Sequence, residues 1–286
     1  MLHDAAILSM FSISLPGFCM NFYLFVKFFS KVSVSSEFTK LCLAKTVPNM
    51  LVCSAFLFWC FPLSTFNFNV KQIPEFLNAL IGQTIGFGAY ISGPSIQLFM
   101  AVNRSSITVI ALFLMFLVAF GYTVQGLFPV SCGYSYDPQL FAWKSGDMEC
   151  VSGAENLLSV TVTCLFIASN SINFITVMKL CYEKVSGLSS GALVVRRKRR
   201  IRFYVQSVCQ DGLHLIDMIN WKFIVYLNPV PWFEFVFVTM SLLTIHALDG
   251  FVMLYFHSDV QPQWLRKFGN RNSSQTGVVL IVSSHG

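Results

Sequence analysis

The chain has 286 residues, of which 55% are hydrophobic, 15% aromatic and 11% charged. This composition excludes a disordered tail, a coiled coil and a collagen-like fibre, and it is far from the roughly 25% charged residues of a soluble domain. The net charge of +6 would suggest nucleic acid in a soluble protein, but in a membrane protein it reflects topology and affinity for anionic lipid. We therefore expect a membrane protein with no nucleic-acid partner.

Long uncharged runs predict where the chain crosses the bilayer. A helix needs about 20 apolar residues to cross about 30 Å of hydrocarbon. Five runs are uncharged over this length, and two later runs are apolar but contain charged residues. The predicted spans are 5–26, 46–66, 78–102, 107–128, 156–178, 203–228 and 232–256. The predicted fold is an all-α membrane protein, a seven-transmembrane helix bundle over residues 1–260 with a short tail over 261–286.

The third and fourth spans are inferred from one apolar stretch. Residues 76–136 contain a single charge, Arg104. As one helix this stretch would be about 90 Å long, about three times the hydrocarbon thickness. The chain must therefore turn back near residues 103–106, which leaves almost no loop between the two spans.

Basic residues predict the orientation, because Lys and Arg collect in short cytoplasmic loops. With the N-terminus outside and the C-terminus inside, all of the 19 basic residues except Lys71, Lys144 and Lys222 lie at or beyond the inner surface. Lys45 is among those placed at the inner surface. The densest basic group consists of Arg196, Arg197, Lys198, Arg199, Arg200 and Arg202. We expect this group to contact anionic lipid and to offer a docking surface for an acidic partner.

Two of the nine cysteines are predicted to form a disulfide. Cys132 and Cys150 lie in the loop between the fourth and fifth spans, on the oxidising side of the membrane. A disulfide between them would reduce the freedom of this loop in the unfolded chain. Cys60, near the outer end of the second span, is the alternative partner.

The chain contains no enzyme signature such as a phosphate-binding loop, a His-Glu-x-x-His motif or a Gly-x-Ser-x-Gly motif. Its intramembrane ionisable residues share helix faces at three-residue spacing: Asp211, His214 and Asp217 in the sixth span, and His246 and Asp249 in the seventh. We interpret them as a polar seam between these two spans, with a metal or proton-relay site as the alternative. We expect no enzyme activity, no cofactor and no bound metal.

Local motifs, taken in order, resemble the nematode serpentine receptor class X chemoreceptors. The motifs are Gly17–Asn21, Asn103–Arg104, the Cys132–Cys150 segment with Tyr136-Asp137-Pro138 and Trp143, Gln206–Asp211, and His246–Gly250. The resemblance extends from the first span to the seventh. It implies a G-protein-coupled chemosensory receptor in the plasma membrane of a sensory cell. Such a receptor binds a small odorant or pheromone-like ligand outside and activates a heterotrimeric G protein inside.

The resemblance also assigns the activation side of the bundle. Arg104, preceded by Asn103, occupies the position of the arginine at the inner end of the third span, but Ser105 replaces the usual aromatic residue. Asp249 stands near the switch motif of the seventh span, where Gly250 replaces the usual proline. The second inner loop of the family is missing, which either impairs signalling or reflects an exon missing from an incomplete gene model.

The predicted topology places a ligand site between the outer halves of the third, fifth, sixth and seventh spans, under the loop of residues 132–150. Aromatic walls with a few polar groups are typical of small-molecule sites. The candidate lining residues are Phe87, Tyr90, Asn156, Thr161, Asp217, Trp221, Trp232 and Phe235.

Two other function classes are compatible with the same residues. A transporter or channel would use Asp211, Asp217 and Asp249 as an ion path, although the sequence contains no inverted repeat. A membrane enzyme would need the sixth and seventh spans to supply a convergent His and carboxylate cluster. The apolar residues Val278–Val282 near the C-terminus are too few to span a membrane, and no role is assigned to them.

Overall fold

The structure is a computed structural model. It describes residues 2–31, 37–102, 108–125, 127–128, 132–145, 148–185, 191–257 and 259–263. For a further set of residues within the helices and the hairpin, only the backbone is described: 2, 37, 108–111, 145, 148–151, 154, 180–181, 183–185 and 191–200.

Seven helical units account for most of the described residues. Four of them are α1 (Leu2–Phe29), α4 (Thr108–Gln125), α5 (Met148–Val185) and α6 (Gly191–Lys222). The other three, α2, α3 and α7, each contain a π-helical turn. Helix α2 consists of Glu37–Ala55, the π-helical turn Phe56–Cys60 and Phe61–Thr65. Helix α3 consists of Glu75–Gln83, the π-helical turn Thr84–Ala89 and Tyr90–Val102. Helix α7 consists of Pro231–Glu234, the π-helical turn Phe235–Met240 and Ser241–Phe256.

Five helices in the described part of the chain are long and apolar enough to cross a membrane: His3–Phe29, Phe38–Thr65, Glu75–Val102, Glu155–Lys179 and Pro231–Phe256. A shorter apolar helix, Leu112–Gln125, lies within α4. The predicted class, a helical membrane protein, is therefore confirmed. The count of seven spans and the orientation of the termini stay predictions.

The helices pack as a bundle whose outer faces are apolar. Helix α1 packs against α2 and α7, α3 packs against α2 and α5, and α6 packs against α7. On α4, the side chains of Phe113, Leu117 and Phe120 are more than half exposed. Such exposed apolar surface is stable where a helix faces lipid, because no water has to be ordered around it.

Helices α1 and α7 approach closely at two glycines. A Cβ on Gly17 would lie 2.9 Å from the Cβ of Ala247, and a Cβ on Gly250 would lie 2.6 Å from Asn21 Oδ1. Small residues permit such close helix packing in membranes. The first and last motifs of the sequence resemblance therefore contact each other across this interface.

The segment between α4 and α5 contains a β-hairpin, which the all-α prediction did not include. Strands β1 (Tyr134–Asp137) and β2 (Ala142–Ser145) pair antiparallel. The Asp137 carboxylate accepts hydrogen bonds from the backbone N–H groups of Gln139 and Leu140 at the turn. Asp favours turns because its side chain bonds the backbone two residues on. The hairpin forms because this local bonding closes the turn.

Asn78 of α3 fixes the hairpin to the bundle. Its amide donates to the Tyr136 carbonyl at 3.0 Å, and its Oδ1 accepts from the Tyr136 N–H at 3.0 Å. The same oxygen accepts from Trp59 Nε1 of α2 at 3.0 Å. The Thr239 hydroxyl of α7 donates to the Phe141 carbonyl at 2.9 Å. The hairpin is thus bonded directly to α3 and α7, and to α2 both through Asn78 and through the Ser64 hydroxyl, which lies 2.8 Å from the Tyr136 hydroxyl.

Candidate functional site

A cavity of about 500 Å³ lies beneath the hairpin, between α3, α5, α6 and α7. We call it the hairpin cavity. Its lining residues are Gly82, Ile85, Gly86, Tyr90, Tyr134, Trp143, Lys144, Glu155, Leu158, Asp217, Trp221, Val225, Tyr226, Pro229, Glu234, Val238 and Leu242. The volume and the mixture of aromatic and polar groups are typical of small-molecule sites.

Aromatic rings form much of the cavity wall. Tyr90 of α3 and Trp221 of α6 meet edge to face, with 6.3 Å between their ring centroids. On the hairpin side, the Trp143 ring packs 5.1 Å from the ring of Tyr136. Edge-to-face and tilted pairs of this kind hold rings in defined orientations. The wall is therefore ordered by packing between the helices and the hairpin.

Three carboxylates and one ammonium group line the hairpin cavity. Glu234 and Lys144 are partly exposed and form an ion pair with 3.8 Å between Oε2 and Nζ. The Tyr134 hydroxyl donates a hydrogen bond to Glu155. Burial and the Glu155 carboxylate raise the pKa of Tyr134 well above its ordinary value, so its hydroxyl stays a donor. Two of the three carboxylates therefore have partners from the chain itself.

Asp217 is the third carboxylate of the cavity, and it is only 3% exposed. Its neighbours are the hydroxyls of Ser241 and Tyr90. The Tyr90 hydroxyl is buried and lies beside the Asp217 carboxylate. None of the described lysine, arginine or histidine side chains forms an ion pair with Asp217.

Three of the eight predicted pocket residues line the hairpin cavity, namely Tyr90, Asp217 and Trp221. Phe87 is buried beside the cavity, with its ring 5.5 Å from that of Tyr134. Phe235 is buried against the ring of Phe141, at 5.6 Å. Both phenylalanines lie in π-helical turns, Phe87 within Thr84–Ala89 and Phe235 at the start of Phe235–Met240.

The remaining three predicted pocket residues also lie outside the cavity lining. Asn156 is exposed, Thr161 is partly exposed, and Trp232 is 50% exposed. Asn156 and Thr161 follow Glu155 and Leu158 on α5, and these two are the residues of α5 that line the cavity. The prediction chose a helix that lines the cavity, and the roles of Asn156 and Thr161 stay predictions.

The charged residues Lys144, Glu155 and Glu234 of the cavity were not among the residues predicted from the sequence. Lys144 is one of three basic residues that the predicted topology does not place at the cytoplasmic surface. Glu234 is an acidic residue at the start of the seventh predicted span. A lone lysine and a lone glutamate on the same side of the membrane signal a possible ion pair. Glu155 gave no such signal, because its partner is the uncharged Tyr134.

A second polar site lies deeper in the bundle. We call it the Lys45 network, and it consists of Asn21, Lys45, Asn49, His246 and Asp249. Lys45 Nζ lies 3.4 Å from Asp249 Oδ2, and the side chains of Lys45 and Asp249 are both fully buried. Lys45 also donates a hydrogen bond to the Gly93 carbonyl at 3.1 Å. Asn49 donates to the same Asp249 oxygen at 3.0 Å and, through its Oδ1, accepts from His246 Nδ1 at 2.8 Å. The network joins α2, α3 and α7.

The Lys45 network corrects the predicted position of Lys45. The sequence analysis placed this residue at the inner surface, whereas the structure buries it completely. The reason is Asp249, since a buried ammonium is tolerated when a carboxylate and hydrogen-bond acceptors surround it. Asn21 extends the network to α1 by donating to the His246 carbonyl at 3.3 Å.

The predicted seam between the sixth and seventh spans exists only in part. The rings of His214 and His246 lie 5.9 Å apart. Asp211, however, accepts hydrogen bonds from α5, Asp249 pairs with α2, and Asp217 lines the hairpin cavity. The three carboxylates thus face three different neighbours. Among the described residues, no group of three His, Cys, Asp or Glu side chains is arranged to hold a metal ion.

The predicted activation residues are described only in part. Asn103 and Arg104 lie outside the described residues, as do the side chains of Arg196, Arg197, Lys198, Arg199 and Arg200. The backbone of this basic run is helical and forms the early turns of α6. Arg202 is exposed and donates to the Phe256 carbonyl at 3.5 Å. Asp249 belongs to the Lys45 network.

Cys132 is disulfide-bonded, while Cys60 is a free, buried thiol. The alternative pairing with Cys60 is therefore wrong. The side chain of Cys150 lies outside the described residues, so the Cys132–Cys150 pairing stays a prediction. Non-reducing peptide mapping that recovers a linked peptide containing both cysteines would establish it, and two free thiols would exclude it.

Comparison with known families agrees with the resemblance seen in the sequence. The family model for the serpentine type 7TM GPCR chemoreceptor Srx matches residues 11–257, which include the hairpin cavity and the Lys45 network. No curated protein matches the chain. The predicted family is confirmed, and with it a multi-pass membrane location. The chain therefore belongs to the Srx family of serpentine seven-transmembrane G-protein-coupled chemoreceptors.

Proposed function

We propose that the protein is a G-protein-coupled chemosensory receptor that binds a small odorant or pheromone-like molecule in the hairpin cavity. The observation that carries this proposal is the cavity itself, about 500 Å³ in volume, in a chain of the Srx family. Its aromatic wall supplies apolar contact, and its charged and hydroxyl groups supply specificity.

The position of the hairpin cavity supports a signalling role. A ligand in the cavity would contact α3, α5, α6, α7 and the hairpin at the same time. Ligand binding shifts a conformational equilibrium only when the ligand interacts differently with the two states. A site shared by four helices meets this condition whenever those helices move relative to one another.

The proposed orientation places the hairpin outside the cell and the basic start of α6 inside, in the plasma membrane of a sensory cell. A heterotrimeric G protein is the proposed partner at the inner face. The proposed contact residues are Asn103, Arg104, Arg196, Arg197, Lys198, Arg199, Arg200 and Arg202. The same basic residues would contact anionic membrane lipid.

The short connection between α3 and α4 bears on coupling, because the second inner loop of such receptors forms part of the G-protein surface. We propose that signalling is impaired if this short connection is natural, and that the gene model is incomplete if it is not. Sequencing the transcript separates the two cases. An uninterrupted message that encodes Arg104-Ser105-Ser106 excludes the incomplete gene model.

The proposal is tested by nucleotide exchange on a G protein. The purified receptor in lipid nanodiscs, with a heterotrimeric G protein, is exposed to a panel of small odorants and pheromone-like compounds. Trp221→Leu, in the cavity wall, should reduce the potency of an active compound at least tenfold. Phe251→Leu, on a half-exposed position of α7, is the matched control and should leave potency unchanged.

The contrary result is exchange that no compound stimulates, or an ion current that needs no G protein. The latter would favour the transporter or channel class. The positions of Asp211, Asp217 and Asp249 do not support that class, because the three carboxylates face separate neighbours among the described residues.

A further inference from the structure

We infer that the hairpin cavity recognises an organic cation, a protonated amine, with Asp217 as its counter-ion. The inference rests on the proposed function, because it specifies the chemistry of the ligand for the same cavity. It is carried by the charge balance of the cavity wall, by the burial of Asp217 and by the aromatic rings beside it.

The wall of the cavity carries an excess of negative charge. Glu155, Asp217 and Glu234 line it, against a single ammonium group from Lys144. Lys144 is already paired with Glu234, and Glu155 accepts a hydrogen bond from an uncharged tyrosine. An anionic ligand would meet uncompensated carboxylates, whereas a cationic ligand would be attracted by them.

Asp217 is the carboxylate best placed to bind the cation. It is 3% exposed, lines the cavity and has hydroxyl groups rather than basic side chains as its described neighbours. Ionisable groups buried in a membrane protein are costly and are usually paired. Asp249, buried to a similar degree, is paired with Lys45 at 3.4 Å. An amine in the cavity would give Asp217 the kind of partner that Lys45 gives Asp249.

The groups around Asp217 suit a protonated amine. The rings of Tyr90 and Trp221 adjoin it, and the face of an aromatic ring attracts an ammonium ion within about 6 Å. Lys222 Nζ already lies 4.3 Å from the Trp221 ring centroid, although Lys222 does not line the cavity. The buried hydroxyl of Tyr90, beside Asp217, supplies a further polar contact, since its oxygen can accept a hydrogen bond from an ammonium group.

The inference is tested by comparing three probes of nearly equal shape: 2-phenylethylammonium, neutral 2-phenylethanol and anionic phenylacetate. Their affinities for the purified full-length receptor in nanodiscs are measured by titration calorimetry. We expect the ammonium probe to bind at least tenfold more tightly than the alcohol, and the carboxylate not to bind. This comparison within the unmodified receptor does not depend on the folding of any variant.

A variant pair then assigns the preference to Asp217. Asp217→Asn keeps the shape and the hydrogen-bonding capacity but removes the charge, so the preference for the ammonium probe should disappear. Glu75→Gln, at an exposed position at the start of α3 and outside the cavity lining, is the matched control and should retain the preference. Three results would overturn the inference: the ammonium probe does not bind at millimolar concentration, it binds no more tightly than the alcohol, or its preference is unchanged in Asp217→Asn.

Nucleotide exchange separates this inference from the proposed function. If the ammonium probe binds through Asp217 but no amine or other compound stimulates exchange, the proposed signalling fails and the inference stands. If neutral compounds stimulate exchange with equal potency in Asp217→Asn and in the unmodified receptor, the inference fails and the proposed function stands.

Discussion

The Lys45 network and the hairpin cavity both bury an aspartate inside the helix bundle, but they treat its charge differently. Asp249 is enclosed by the chain itself, with the ammonium of Lys45 at 3.4 Å and the amide of Asn49 at 3.0 Å. Asp217 lies at the wall of a cavity, beside the hydroxyls of Ser241 and Tyr90. The carboxylate of Asp249 therefore has its counter-ion within the chain, whereas the carboxylate of Asp217 has none among the described residues.

The largest expected effect comes from breaking the Lys45 network. Lys45→Met should lower the free energy of unfolding by about 3–5 kcal/mol, because it leaves Asp249 buried without its cation. Thermal unfolding of the detergent-purified receptor and its surface expression would both report the loss. Lys179→Met, at an exposed lysine of α5, should leave both unchanged.

A double variant sharpens this test. Replacing both partners, Lys45→Met with Asp249→Leu, should recover most of the stability, because a buried ion pair can often be replaced by apolar residues without net loss. If Lys45→Met alone is as stable as the unmodified receptor, the network does not stabilise the bundle and the contrast with the hairpin cavity disappears.

A smaller effect is expected at the cavity roof. A Cβ on Gly82 would lie 1.9 Å from the Tyr134 carbonyl oxygen, whereas a Cβ on Gly86 would have its nearest neighbour at 3.7 Å. Gly82→Ala should therefore displace the hairpin and lower the free energy of unfolding by about 1–3 kcal/mol. Gly86→Ala, which lines the same cavity, should not lower it. Equal melting temperatures for the two variants would show that the hairpin does not pack as described.

The smallest effect is expected from an exposed ion pair of the same residue types. Lys31 Nζ lies 3.1 Å from Asp259 Oδ2, and both side chains are exposed. Lys31→Met should therefore change the free energy of unfolding by less than about 1 kcal/mol, since water screens the pair. A loss as large as that of Lys45→Met would mean that burial does not decide the strength of these pairs.

The same pair gives a pH dependence. The His257 ring, with Nδ1 3.8 Å from Asp259 Oδ1, and the ammonium of Lys31 hold the pKa of Asp259 below its ordinary value. Because the folded-state pKa is the lower one, the stabilisation is present above about pH 4 and is lost as the pH falls towards the folded-state value. Asp259→Asn should remove this dependence when unfolding is followed between about pH 5 and pH 3.

Composition predicted the class, and the order of the motifs predicted the family. Average hydropathy and short sequence motifs can both be identified without knowing which face of each helix points into the bundle. The two motifs at Gly17 and Gly250 form a real helix contact. The faces of the helices were harder to predict. Phe87 and Phe235 were predicted as pocket residues because they are aromatic and lie on the third and seventh spans, whereas the structure packs both against neighbouring rings beside the cavity.

Lys45 shows a second limit of prediction from sequence. A lysine next to an apolar run is equally compatible with the membrane surface and with a buried ion pair, and only the spatial position of Asp249 decides between them. Glu155 and Tyr134 show a third limit, since a hydrogen bond between a charged and an uncharged residue leaves no pattern in the charges. The missing information in each case is a contact between residues far apart in the chain.

The π-helical turns of α2, α3 and α7 have a consequence for comparing relatives. Each turn holds one residue more than the α-helical turn it replaces. A family member that lacks such a turn will therefore be one residue shorter inside that helix, and its correct alignment contains a gap within a transmembrane segment. An alignment that forbids such gaps will pair residues that point about 100° apart around the helix axis along part of α3 and α7, the two helices that contribute Tyr90 and Leu242 to the cavity wall.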